Sequence, residues 1–149
     1  MRKTSRVGSA CAVALGATIL ALNARSAAPD DQYTVGSDTV FDNKTQLTWQ
    51  RAPSSNTYTW QAADDYCKEL GLGGLSWRLP AVREFLTLID TEAYNPSIDA
   101  RAFPNTPTTW FWSSSPSANV AGYAWIVDSK DGSSANDDIH SSHRVRCVR

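Results

Sequence analysis

Short alternating apolar runs lie at both ends of this chain, and two helix-like apolar stripes lie between them. Residues 40–42 and 46–50 are β-prone and flank the polar Asn43-Lys44-Thr45, which predicts a hairpin. Asp131-Gly132 has the composition of a turn. The other predicted strands are residues 108–113, 123–128 and 144–148.

The two apolar stripes predict helices. Thr59 is expected to cap the first, which should end before Gly71. Its apolar positions are Trp60, Ala63, Tyr66 or Cys67, and Leu70, so Cys67 should face inward. The second is predicted over residues 80–90, beginning at Pro80. Its stripe is Val82, Phe85, Leu86 and Ile89. Helices grouped between strands predict an α+β fold, with two helices packed on short antiparallel sheets with long loops.

The first 26 residues have the pattern of a signal peptide. A basic start precedes an apolar run at residues 10–22, and Ala24 and Ser26 stand at the positions that signal peptidase reads. The run is about thirteen residues long, whereas a membrane span needs about twenty. We therefore predict cleavage after Ser26, leaving one domain at residues 27–149 without membrane insertion. A lipid anchor on Cys11 is not expected, because Cys11 lies ahead of most of the apolar run and Gly8 stands where a lipoprotein signal needs Leu.

Cleavage makes the domain acidic. It removes four of the 14 basic residues and none of the 15 acidic ones, so the net charge changes from −1 to −5. Sequence-independent binding to nucleic acid requires many basic contacts to phosphates, so no nucleic-acid partner is expected. A basic cluster near the carboxyl end is expected to form a solvated face around one buried, paired arginine. Its members are His140, His143, Arg144, Arg146 and Arg149.

No catalytic constellation stands out, and we expect a non-enzymatic protein. The chain has two histidines, and neither adjoins a nucleophile motif such as a glycine-flanked Ser. The spacing of His140 and His143 suits two metal ligands, and Asn136-Asp137-Asp138 with Asp128 and Asp131 suits calcium. Solvated loop residues account for both groups, so no metal and no cofactor is predicted.

Six Trp and five Tyr exceed the needs of a core of this size. Aromatic faces stack on sugars and anchor protein interfaces, so Trp60, Trp110, Trp112 and Tyr123 are considered for binding. Aromatic residues at strand spacing are more often core, and we expect this of Trp112 and Trp125, whereas Trp110 is open to either role. The candidate ligand-binding residues are Trp110, Tyr123, His143 and Arg144.

Five motifs follow one another along nearly the whole mature chain. They are Leu47-Thr48-Trp49-Gln50-Arg51; Thr59-Trp60 with Tyr66-Cys67; Trp77-Arg78-Leu79-Pro80 with Glu84-Phe85-Leu86; Trp112-Ser113-Ser114-Ser115; and Val145-Arg146-Cys147-Val148. In this series the chain resembles the Lcl C-terminal domain family, the final domains of Legionella collagen-like surface adhesins. The resemblance implies binding of sulfated glycosaminoglycans and assembly as a homotrimer. Within these motifs, Arg78 is expected to pair with an acidic residue, either Glu84 or Asp90.

A more distant resemblance links the chain to the formylglycine-generating enzymes, which have a C-type-lectin-like fold. It is carried by Tyr66-Cys67, Arg78-Leu79-Pro80 and Arg146-Cys147, and it implies a disulfide between Cys67 and Cys147. Once Cys11 is removed these are the two remaining thiols, so one bridge or two free buried thiols are the alternatives. Those oxidases need a close cysteine pair near the carboxyl end. Cys147 is alone there, so the resemblance does not imply the activity.

Taken together, these features predict an exported recognition module with an α+β, C-type-lectin-like fold. We expect its ligand to be a glycan or a protein, met in the periplasm, at the cell surface or outside the cell. The alternative is a structural or interaction subunit of the cell envelope without sugar affinity, and an enzyme is the third choice.

Overall fold

The fold has two small antiparallel sheets and two helices that lie between them in sequence. The computed structural model describes residues 31–149, so the predicted signal peptide and its cleavage site lie outside the described residues. The elements are β1 (Tyr33–Val35), β2 (Thr39–Asp42), β3 (Leu47–Gln50), α1 (Trp60–Glu69), α2 (Val82–Leu86), β4 (Trp110–Pro116), β5 (Tyr123–Asp128) and β6 (Ser134–Asp138). The predicted α+β class is confirmed.

The first sheet is the predicted hairpin with one further strand. β2 pairs with β3, and β1 pairs with the other edge of β2, all antiparallel. Asp42 holds the hairpin turn, because its carboxylate accepts hydrogen bonds from the Lys44 backbone N–H at 2.9 Å and the Thr45 hydroxyl at 2.8 Å. β1 is a three-residue strand with two exposed positions.

Helix α1 follows its predicted pattern. It buries Ala63 and Cys67 on its inward side. Gly71 follows the helix with a φ of 59°, a left-handed conformation that glycine adopts without strain. Thr59 stands at the N-cap position, but its side chain makes no capping hydrogen bond. Packing rather than capping therefore fixes where this helix begins.

Helix α2 begins close to Pro80, as predicted, but it is shorter than predicted, and the expected end at Asp90 is wrong. The helix begins at Val82 and ends at Leu86. Pro80 is buried ahead of the helix, and its carbonyl accepts a hydrogen bond from the Ser114 N–H at 2.7 Å. That contact with β4 holds Pro80 outside the helical turn.

Glu84 organises the start of α2. Its carboxylate accepts a hydrogen bond from the Ala81 N–H at 2.8 Å, which satisfies a donor at the helix start. It also accepts two hydrogen bonds of 2.7 Å from the guanidinium of Arg78. Of the two partners predicted for Arg78, the structure therefore selects Glu84.

The second sheet has the order β4-β5-β6 and is antiparallel throughout. The core has two clusters of buried side chains. Alternation along β4 puts Phe111 in the first cluster and Trp112 in the second, and Trp110 packs against the second. Asp137 and Asp138 were expected in a loop, and this is wrong, because both lie on β6 opposite Ala124 and Tyr123.

The last residues run between the two sheets. The prediction of a strand at residues 144–148 is wrong, because the segment makes isolated bridges to several neighbours. Val148 bridges to Trp49 of β3 and to Arg78, and Arg144 bridges to Phe111 of β4. We call residues 144–149 the C-terminal segment.

A disulfide between Cys67 and Cys147 joins α1 to the C-terminal segment across 80 residues of sequence. Both cysteines are completely buried. The bridge is the pairing that the family resemblance implies, and it fixes the helix to the segment that connects the sheets.

Two core clusters lie on opposite faces of the second sheet. The first joins Phe111 and Val127 to Phe85 and Trp49. The second joins Trp112 and Ile126 to residues of α1. The β4-β5-β6 sheet is therefore a middle layer that is covered on both faces over part of its length. Within residues 31–149, no helix is long and apolar enough to cross a membrane.

Candidate functional site

Three of the four candidate residues lie together, and the fourth does not. The Arg144 N–H donates to the Trp110 carbonyl at 3.1 Å, and the His143 ring packs edge-on to the neighbouring Trp112, with 4.6 Å between ring centroids. Tyr123 begins β5, whereas Trp110 pairs with Asp128 at the other end of that strand. Tyr123 therefore belongs to a different part of the surface.

His143 is held by its neighbours. Its Nε2 lies 2.8 Å from a carboxylate oxygen of Asp137, and its side chain is only 14% exposed. The hydrogen bond from His143, with a further one from Ser141, keeps the pKa of the Asp137 carboxyl below its ordinary value. The Ser141 hydroxyl thus faces the carboxylate, and this group positions the loop that follows β6.

The basic cluster is divided between surface and interior. Arg144 is half-buried and donates from Nη1 to the Ser54 carbonyl at 2.9 Å. Arg146 is completely buried, and its partners are the carbonyls of Gln50 and Arg51 and the Thr106 hydroxyl. Arg146 is thus the one buried arginine of the cluster, and the partners found among the described residues are neutral oxygens. Little of the cluster therefore remains for a polyanionic ligand.

Metal-ligand sets are absent from the described part of the chain. No group of three or more His, Cys, Asp or Glu side chains there is arranged to hold a metal ion. The carboxylate of Asp137 is engaged by His143. That of Asp138 accepts the His140 backbone N–H at 2.9 Å.

The hydrogen bonds of the indole N–H groups separate the tryptophans by role. Trp60, Trp77 and Trp112 donate to backbone carbonyls at 2.7, 3.0 and 2.7 Å. The Trp49 Nε1 is buried without a partner. Trp110 and Trp125 are half-buried, and within residues 31–149 no hydrogen bond from either indole is found. Their donors are therefore open to solvent or a ligand.

Trp125 and Tyr123 form an aromatic surface on β5. They stand two residues apart on one face of the strand, and among the described residues neither belongs to, or packs against, a core cluster. On the same face of β6, Asn136 lies opposite Trp125 and Asp138 opposite Tyr123. We call these four residues the platform. The expectation that Trp125 is core is wrong, because cover on this face of β5 stops at Val127.

A signal for the platform is present in the sequence. Along β5 the small or aliphatic Ala124 and Ile126 alternate with Tyr123 and Trp125, and on a half-covered strand the amphipathic rings take the wet side. The platform contains Asp138 and no basic residue, so a neutral ligand suits it better than a sulfated one.

Comparison with known proteins identifies a family. The family model described as the Lcl C-terminal domain matches residues 38–149. No curated protein matches the chain.

Proposed function

We propose that the chain, which belongs to the Lcl C-terminal domain family, is an exported, non-enzymatic recognition module. The family is named for a Legionella collagen-like protein, and this is consistent with an extracellular interaction module. Its ligand is a glycan or a protein, bound on the platform. The proposal places a signal peptide at residues 1–26 and one domain at residues 27–149. The module acts in the periplasm, at the cell surface or outside the cell.

The observation that carries this proposal is the pairing of Tyr123 and Trp125 on a rigid strand. Two aromatic rings on one strand face provide a flat apolar surface, and the free indole N–H of Trp125 adds a directed donor. The exposed Asn136 supplies a carbonyl and an amide beside it. Stacking rings bordered by amide groups suit a neutral sugar chain, whose rings have apolar faces and hydroxyl edges.

Two further features support an exported, lectin-like domain. A buried disulfide persists in oxidising compartments, which agrees with secretion. The bridge from the first helix to the last segment is the one implied by the likeness to C-type-lectin-like proteins, and we propose that fold for this chain. Assembly as a homotrimer is likewise proposed from the family, with the platform facing outward.

A glycan array distinguishes this function from the alternative of an envelope subunit without sugar affinity. We expect the labelled mature protein to bind a subset of neutral glycans, equally with and without a chelator. A Tyr123→Ala, Trp125→Ala double variant should lose most of the signal and lower the melting temperature by only a few degrees. Tyr94→Ala is the matched control, because Tyr94 is 66% exposed and lies outside the platform. An array without signal would favour the subunit, and binding that survives the double variant would move the site elsewhere.

A further inference from the structure

A recess lies between the start of α1 and β4, and none of the four platform residues lines it. Its volume is 170 Å³. The residues that line it are Trp60, Gln61, Asp64, Leu79 and Ser114. We call it the Trp60 cleft. None of the four ligand-binding residues predicted from sequence lines it.

The apolar wall of the Trp60 cleft is held rigidly. The Trp60 indole N–H donates to the Ser113 carbonyl at 2.7 Å, and the Trp60 backbone N–H donates to the Ile139 carbonyl at 3.0 Å. Leu79 is 1% exposed, so the core fixes it from behind. A recess with fixed walls is preformed and costs little ordering when a ligand enters.

The polar groups of the cleft are mainly acceptors. The Gln61 amide nitrogen donates to Asp65 at 3.1 Å, which leaves its carbonyl oxygen for another partner. The Ser114 backbone N–H donates to the Pro80 carbonyl, and its hydroxyl forms no hydrogen bond with any described residue. Asp64 forms an ion pair with Lys68 on the next turn, with 2.6 Å between Nζ and Oδ2.

These groups select the ligand. Asp64 and Lys68 form a partly exposed ion pair, so the two charges together attract neither an anion nor a cation strongly. A ligand that suits the cleft has several hydroxyl donors on one side and C–H groups on the other. We propose that the Trp60 cleft binds one neutral sugar ring, whose C–H face packs on Trp60 above the floor that Leu79 forms. Its hydroxyls donate to Asp64 and Gln61 and exchange a hydrogen bond with Ser114.

This site goes beyond the platform and is tested separately, by NMR titration of the ¹⁵N-labelled mature protein. The probes are the methyl glycosides of glucose, galactose, mannose and N-acetylglucosamine. At least one should give saturable shifts at the Trp60 indole N–H, the Gln61 side-chain amide and the Ser114 backbone amide. No saturable shift with any of the four overturns the proposal. Saturation by tetramethylammonium but not by the sugars overturns the ligand class.

Variants then locate the binding. Ser114→Leu fills the cleft, and Gln61→Ala removes an acceptor from an exposed position that the fold does not need. We expect Ser114→Leu to weaken the best glycoside at least about tenfold, a loss of about 1.4 kcal/mol, and Gln61→Ala to weaken it by a smaller factor. Gln61→Ala keeps the test valid if Ser114→Leu does not fold. Tyr94→Ala, which changes a residue outside both the cleft and the platform, should bind the glycoside as wild type does. Unchanged affinity in both cleft variants contradicts the proposal, whereas loss in the platform double variant alone assigns the sugar to the platform.

Discussion

The guanidinium carbon of Arg146 lies 4.7 Å from the ring centroid of Phe103, deep in the domain. Arg146 is completely buried, and burial lowers the pKa of its guanidinium. No described carboxylate forms an ion pair with it, so the charge is stabilised by the Phe103 ring and by neutral oxygens. Its two terminal nitrogens bind carbonyls of Gln50 and Arg51 and the Thr106 hydroxyl, which fastens the C-terminal segment to the end of β3.

Replacing Arg146 should therefore destabilise the protein strongly. Arg146→Met removes the donors to three acceptors, two of them on buried residues, and should lower the free energy of unfolding by about 3 kcal/mol. Arg146→Lys keeps the charge but cannot reproduce the planar fork, so it should also be destabilising. Urea denaturation at neutral pH measures both, and Arg83→Met on the exposed side of α2 is the control. If Arg146→Met is as stable as wild type, these hydrogen bonds do not stabilise the fold.

The disulfide between Cys67 and Cys147 should be formed in the exported protein. Thiol labelling of the denatured, unreduced mature protein should detect no free cysteine. Replacing both cysteines by Ala should cost about 4 kcal/mol, because the bridge closes a loop with a sequence separation of 80. Two reactive thiols in the purified protein would refute the bridge and weaken the case for a lectin-like fold.

Acid should weaken the fold through Glu84. The two hydrogen bonds from Arg78 lower the pKa of the Glu84 carboxyl from its ordinary 4.5. A carboxyl with a lowered folded-state pKa stabilises the protein above its unfolded pKa, and this stabilisation is lost as the pH falls through the folded value. Urea midpoints measured from about pH 6 to pH 3 should therefore fall less steeply for Glu84→Gln than for wild type. As the control, Glu69→Gln at an exposed position should show the same decrease of the urea midpoint with pH as wild type. Equal slopes for all three proteins would contradict the prediction.

Trp110 and Trp125 should differ in their effect on stability. Trp110 packs against the second core cluster, so Trp110→Ala should cost about 1 to 3 kcal/mol through lost packing. Trp125→Ala should cost under about 1 kcal/mol, since that ring belongs to neither cluster. Thermal and urea unfolding of the two variants measure this difference. A large loss of stability in Trp125→Ala would show that Trp125 belongs to the core, and it would remove the basis of the platform.

Chelation should leave the melting temperature unchanged. A ligand that binds the native state raises its stability, and the described residues contain no metal-ligand cluster. Differential scanning fluorimetry with a chelator and with millimolar calcium tests this. A rise of several degrees with calcium would indicate a site at Asp137 and Asp138.

Sequence patterns predicted the elements that are determined locally. The β2–β3 hairpin and α1 each carry their own turn or stripe, and both lie where the sequence placed them. β6 was missed because Ser134–Asp138 contains no β-branched or aromatic residue and is a strand only through pairing with β5. The end of α2 was missed for a similar reason, since the Asp90 N–H donates to the Ser97 carbonyl at 2.9 Å instead of continuing the helix.

The candidate site was predicted less well than the fold. Alternation assigns Trp110 and Trp125 to strand faces, but it does not tell which face another element covers. Trp110 packs over the second cluster, while Trp125 lies beyond Val127, where the cover stops. That difference depends on α2 and the long loops, whose paths are set by contacts far apart in sequence.

The position of the C-terminal segment also determines when folding can finish. Thr48 and Arg149 exchange two hydrogen bonds of 2.9 Å, and the Gln50 N–H donates to the Cys147 carbonyl at 2.9 Å. These contacts span about a hundred residues, so they form late and slowly. During synthesis, the hydrogen bonds between β3 and residues 144–149 can form only after those residues have left the ribosome. The last contacts of the fold are therefore made after the synthesis of residues 31–143, and not during it.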